Sequence, residues 1–280
     1  MTETTSYNFS HLEPVEAGLG RMLSRPKAVA AGCVIVVAGL GWLFVALLTV
    51  TPDISWLAVT QALCRTLPEG AWNLPAMSVV LSMWSVMTLA MMVPSAAPMI
   101  LTYAEIAETA ARKSERIVSP LVIAAGYASV WLVFSVAATA MQIALARAAL
   151  FDPDATSTGG FFAALTLIGA GLYQFSALKH ACLVRCQHPF SFFFANWATT
   201  RRGVFRLGVR QGLYCLGCCW AMMMVMFAVG VMNIAWMAGL AVVMTVEKLQ
   251  TGRRFAQAAG VALITIGLCV AASALAAQLH

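Results

Sequence analysis

Five sulfur-bearing side chains fall on one face of a single stretch of this sequence, LYCLGCCWAMMMVM from Leu213 to Met226. Cys215, Cys218, Cys219, Met222 and Met226 recur at i, i+3, i+4, i+7 and i+11, which on an α-helix is one stripe. Thiolates and thioethers are soft donors that select Cu(I) most naturally, with zinc next where imidazoles join them. Just upstream, LKHACLVRCQHPF holds His180, Cys182, Cys186 and His188 within nine positions. Cys182 and Cys186 stand at i, i+4, and Pro189 biases His188 toward an extended conformation that ends any helix there. Met83, Met87 and Met91 form a further, weaker stripe, weaker because methionine is a common packing filler. Cys33, Cys64 and Cys269 are scattered, and packing accounts for them.

The elements that position these side chains are membrane helices. With 61% apolar and 10% charged residues and a mean hydropathy of +0.84, the composition lies far from that of a soluble domain. Apolar segments at about 28–50, 77–102, 118–146, 160–179, 211–229, 231–247 and 258–277 each approach the roughly 20 residues a bilayer requires. The expectation is an all-α, polytopic bundle of seven spans (28–280) behind a polar tail (1–27). Residues 211–246 as one helix would run about 54 Å, too long for the hydrocarbon core, so a tight turn at 229–233 with Gly230 is expected.

Basic residues orient the bundle. Those near the N-terminus (Arg21, Arg25, Lys27) share a side with Arg112, Lys113 and Arg116, with the group from Lys179 to Arg210, and with Lys248, Arg253 and Arg254. Only Arg65 and Arg147 lie opposite, so the positive-inside rule puts the N-terminus in the cytoplasm and the C-terminus outside. The first apolar segment is too long for a secretory signal and lacks a small-residue cleavage site. The net charge of +6 then belongs to loops facing anionic lipid headgroups, and no nucleotide-binding, zinc-protease or nucleic-acid signature is present. In this topology both cysteine clusters, and Met91 near the end of the second span, reach the cytoplasmic half.

Several of these motifs, AMMVPSAAP (Ala90 to Pro98), GYASVW (Gly126 to Trp131), LKHACLVRCQHP, GLYCLGCCWAMM and TVEK (ending at Lys248), together resemble a family of bacterial integral membrane proteins described as predicted metal-binding. The resemblance spans about 76–248 and implies a multi-pass protein of the bacterial inner membrane that binds a metal.

Three functions stay open. The first is binding of Cu(I), with zinc as the alternative ion, at a cytoplasm-side site drawn from His180, Cys182, Cys186, His188, Cys215, Cys218, Cys219, Met222 and Met91, for metal handling or transfer to or from a protein partner. A reducing cytoplasm favours such thiol chemistry over structural disulfides. The second is a membrane thiol-disulfide oxidoreductase built on Cys215 and Cys218, and the third a structural subunit of a membrane complex. The residues support binding rather than catalysis. A c-type haem does not fit, because Cys219 stands where its attachment motif needs His. Gln174 and Tyr127 are potential partners inside the bundle, Glu247 and Lys248 a potential interfacial ion pair, and no carboxylate lies in the middle of a span to carry a proton relay.

Overall fold

The computed structural model describes residues 32, 35–36, 38–43, 74–112, 118–147, 156–229, 234–249 and 252–278. Among these there is no strand. The helices after the short stretch at 38–43 are α1 (Leu74–Arg112), α2 (Pro120–Arg147), α3 (Thr156–Tyr173), α4 (Ala177–Gln187), α5 (Pro189–Ala195), α6 (Arg201–Val229), α7 (Ile234–Leu249) and α8 (Arg254–Gln278).

Among the described residues four helices are long and apolar enough to cross a membrane, over Met77–Ala110, Pro120–Leu145, Arg201–Val229 and Arg254–Ala276; α3 and α4 taken together make a fifth. The seven expected spans compare with this count in two places. Helix α7 has 16 described residues, and most of 28–50 lies outside the described residues, as does the expected turn at Gly230. The tail at 1–27 lies there too.

Three helices differ from their expected bounds for local reasons. Helix α1 runs for 39 residues through Pro94 and Pro98, about 58 Å at the standard rise. Each proline removes one backbone donor, and side-chain hydroxyls occupy nearby carbonyls: Ser95 Oγ donates to Met92 O at 2.8 Å and Thr102 Oγ1 to Pro98 O at 2.7 Å. The expected span at 160–179 breaks at Gln174–Ser176, where α3 and α4 meet at 64°. Ser176 causes the restart: its extended backbone and its side chain, which accepts from Lys179 N at 3.1 Å, make it the N-cap of α4. Helix α6 begins ten residues before the expected start because Arg201 to Arg210 continue the helix beyond the apolar segment.

Helix α6 is the axis of the bundle, packed by α2, α3, α4 and α7, while α3 and α8 form a pair of their own. Close approach of α2 to α6 depends on glycine: a Cβ at Gly208 would run into the carbonyl oxygen of Ile123. Without a hydrophobic drive between helices in lipid, such backbone contact is a main source of association. At one end of the α1–α2–α6 core, Trp84 stacks on Phe227 at 5.0 Å and donates to Gln142 Oε1 at 2.6 Å. At the other, α6 meets α4, α1, α2 and α7, and there the polar and sulfur-bearing side chains gather.

Candidate metal centre

The helical period of α6 turns Cys215, Cys218, Cys219, Met222 and Met226 inward, and all five are buried. The three thiol sulfurs lie within 4.8 Å of one another, with Cys218 and Cys219 Sγ 3.3 Å apart. Metal–sulfur bonds of about 2.3 Å put two ligating sulfurs between about 4.0 Å (trigonal) and 4.6 Å (linear) apart, so small side-chain rotations bring this set onto one ion. Among the described residues this is the sole group of three or more His, Cys, Asp or Glu side chains close enough to share a metal. Its donors are all sulfur.

Four neighbouring helices furnish the surroundings. From α2, the Tyr127 hydroxyl lies 2.9 Å from Cys215 Sγ and 3.2 Å from Met92 O. From α7, the Lys248 ammonium donates to Ser95 Oγ at 2.6 Å and to Cys215 Sγ at 3.0 Å. From α4, Cys186 Sγ lies 4.0 Å from Cys218 Sγ. One layer outward, Lys179 and Glu247 form a buried ion pair at 2.7 Å, tying the start of α4 to the end of α7. Gln187 Nε2 adds a bond to Glu247 O at 2.8 Å.

The remaining candidates are placed differently. Cys182 is buried, with its sulfur in the space a side chain at Gly217 would need. His180 is half-buried and lines a small cavity with Gln174, Lys179, Arg253 and Gln257. His188 is exposed at the end of α4. Met91 is buried and borders a groove shared with Pro94, Ala238 and Val242. Neither imidazole belongs to the group of side chains that surrounds the three thiols.

Two expected pairings are replaced. Glu247 and Lys248 do not pair with each other, since consecutive helical residues point about 100° apart; Glu247 meets α4 and Lys248 meets the thiols. Tyr127 and Gln174 likewise separate, Gln174 Nε2 donating to Met222 Sδ at 3.0 Å. Lys248, beside Cys215, is the neighbour of the thiols that spacing does not reveal. Its one sequence signal is a basic residue ending an apolar segment, which reads equally as a snorkelling surface charge.

Comparison with known proteins agrees with this sulfur-rich centre. No curated protein and no solved structure matches the chain. Residues 81–270, which include every residue named at the site, match the family PpoB2, described as copper chaperone. The chain belongs to the PpoB2 copper chaperone family.

Proposed function

We propose that this protein is a multi-pass protein of the bacterial inner membrane that binds Cu(I) from the cytoplasmic side and passes it to an acceptor protein. Seven spans (28–280) follow a cytoplasmic tail (1–27) in this reading. The observation that carries it is the buried triad of Cys215, Cys218 and Cys219 within 4.8 Å, in a chain of a copper chaperone family. Copper is cargo here, not a resident cofactor.

The donor set fits the ion. Cu(I) favours few, soft ligands, and no carboxylate or imidazole stands among the inner donors to favour a harder divalent ion. Met222, one turn beyond Cys218, is a weaker fourth donor. Two thiolates and one Cu(I) sum to one negative charge, and burying that charge uncompensated is costly. Lys248 supplies the balancing cation at 3.0 Å from Cys215. His180, Cys182, His188 and Met91 stand outside this inner set and serve packing or the cytoplasmic surface.

The test is metal retention. Full-length protein, purified anaerobically and loaded separately with Cu(I) and Zn(II), should keep about one copper per chain after desalting and little zinc. No retained copper would defeat the reading, and reversible thiol-disulfide titration in that metal-free protein would put the oxidoreductase in its place. A reporter fused after Ala104 should read as cytoplasmic, and an external signal there would overturn the orientation.

A further inference from the structure

Cys215, Cys218 and Cys219 are each 2% exposed or less, so an ion held by them must arrive through a gap between helices. The structure has such a gap beside the site. A partly open cavity of about 120 Å³ is bordered by Ser95, Tyr127, Cys186, Gln211, Cys215 and Lys248 among others. Two thiols line it, and they differ. Cys215 belongs to the buried triad, whereas Cys186 is half-buried on α4, beyond the bend that separates that helix from α3. The cavity is polar enough to admit a ligated ion: besides Ser95, Tyr127 and Lys248 it includes Gln211, whose buried Oε1 has no hydrogen-bond partner among the described residues.

We propose that this cavity is the exchange port of the copper site, and that Cys186 is the thiol that trades the ion with a partner's thiolate. The proposal rests on the triad being the copper site. Cys186 Sγ stands 4.0 Å from Cys218 Sγ, less than two metal–sulfur bonds of about 2.3 Å laid end to end. One ion can therefore be held by both sulfurs during transfer with no helix movement.

The step is ligand exchange without redox change. The Cu–S bond to Cys186 forms as the bond to the donor's sulfur breaks, the Cys186 proton passes to the departing donor thiolate, and copper stays Cu(I). Cys218 then replaces Cys186 in the same way, and delivery runs the sequence backwards. The partner is defined by this chemistry as a carrier that presents an accessible thiolate to the mouth of the cavity.

The test separates rate from equilibrium in the full chain, held in lipid nanodiscs under anaerobic conditions. Affinity is read by competition with bicinchoninate, and transfer by stopped flow from Cu(I)–glutathione and back to bicinchoninate. Cys186→Ser should keep the wild-type affinity to within about twofold while slowing both directions about tenfold or more. A fall in affinity as large as that of Cys218→Ser would make Cys186 a permanent ligand and overturn the proposal, as would unchanged rates. Alkylation of the metal-free wild type by iodoacetamide, followed by peptide mass spectrometry, should modify Cys186 before Cys215, Cys218 and Cys219. Equal or slower modification of Cys186 would also overturn it. A wild type that binds no copper would remove the copper reading itself, a result distinct from a copper-loaded protein whose transfer ignores Cys186.

Discussion

Helices α6 and α8 are both long, apolar and cysteine-bearing, yet only α6 makes anything of its sulfur. More than half of the most apolar stretch of α6 lies buried within the protein, against less than a quarter for α8. Cys269 on α8 is exposed on a helix that packs mainly along α3. Cys215 on α6 meets a tyrosine from α2, a lysine from α7 and two further thiols of its own helix. Near-equal hydropathy thus hides different roles: a thiol gains chemistry when several helices converge on it, and a thiol on a peripheral helix stays a small apolar side chain.

The sharpest way to break this contrast is to remove the central thiols. Cys218→Ser together with Cys219→Ser should abolish copper retention, because no two of the remaining inner donors are thiolates, while Cys269→Ser should retain the wild-type amount. Serine can bond its own helix carbonyls, as Cys218 Sγ already does to Cys215 O at 3.2 Å, so the double variant should fold. Elemental analysis of both proteins after identical loading decides the matter. Equal copper in the two would mean that convergence of helices on α6 has nothing to do with the metal.

A smaller effect tests the charge that α7 contributes. Lys248→Met should weaken Cu(I) binding by about tenfold, roughly 1.4 kcal/mol, since a buried thiolate pair loses its counter-charge. Lys248→Arg should recover part of that loss. In a Cys215→Ser background the lysine change should cost little more than the serine change alone, because coupled residues are not additive. Full additivity of the two substitutions would show that Lys248 acts on the fold and not on the thiol it touches.

The contrast between α6 and α7 also explains what was legible in the sequence. Cys215, Cys218 and Cys219 could be grouped because all three sit on one helix, where spacing alone fixes the face. The need for a break between α6 and α7 follows from membrane thickness, and the turn itself lies outside the described residues. Partners that come from different helices were not legible in the same way. Lys179 and Glu247 are 68 positions apart, and nothing in either local pattern points to the other. The bend at Gln174–Ser176 was hidden for another reason: the segment stays apolar through it, and only the capping preference of Ser176 hints that a new helix begins.

The smallest expected effect concerns the sulfur that follows the triad. Met222 is buried one turn beyond Cys218, on the same face, and its sulfur already accepts a hydrogen bond from Gln174 Nε2 at 3.0 Å. A thioether is neutral and binds Cu(I) more weakly than a thiolate, and here one of its lone pairs is engaged by an amide whose Oε1 has no partner among the described residues. Met222→Leu keeps the volume and removes only the sulfur, a swap that cores tolerate well. Copper affinity should therefore fall only a few-fold, within about 1 kcal/mol, while the variant loses the bond that holds Gln174 at the bend between α3 and α4. The two consequences are read separately, affinity by competition with bicinchoninate and stability by thermal unfolding of the metal-free protein. A loss of copper as complete as that of the double cysteine variant would promote Met222 to a principal ligand and extend the metal site a full turn deeper along α6.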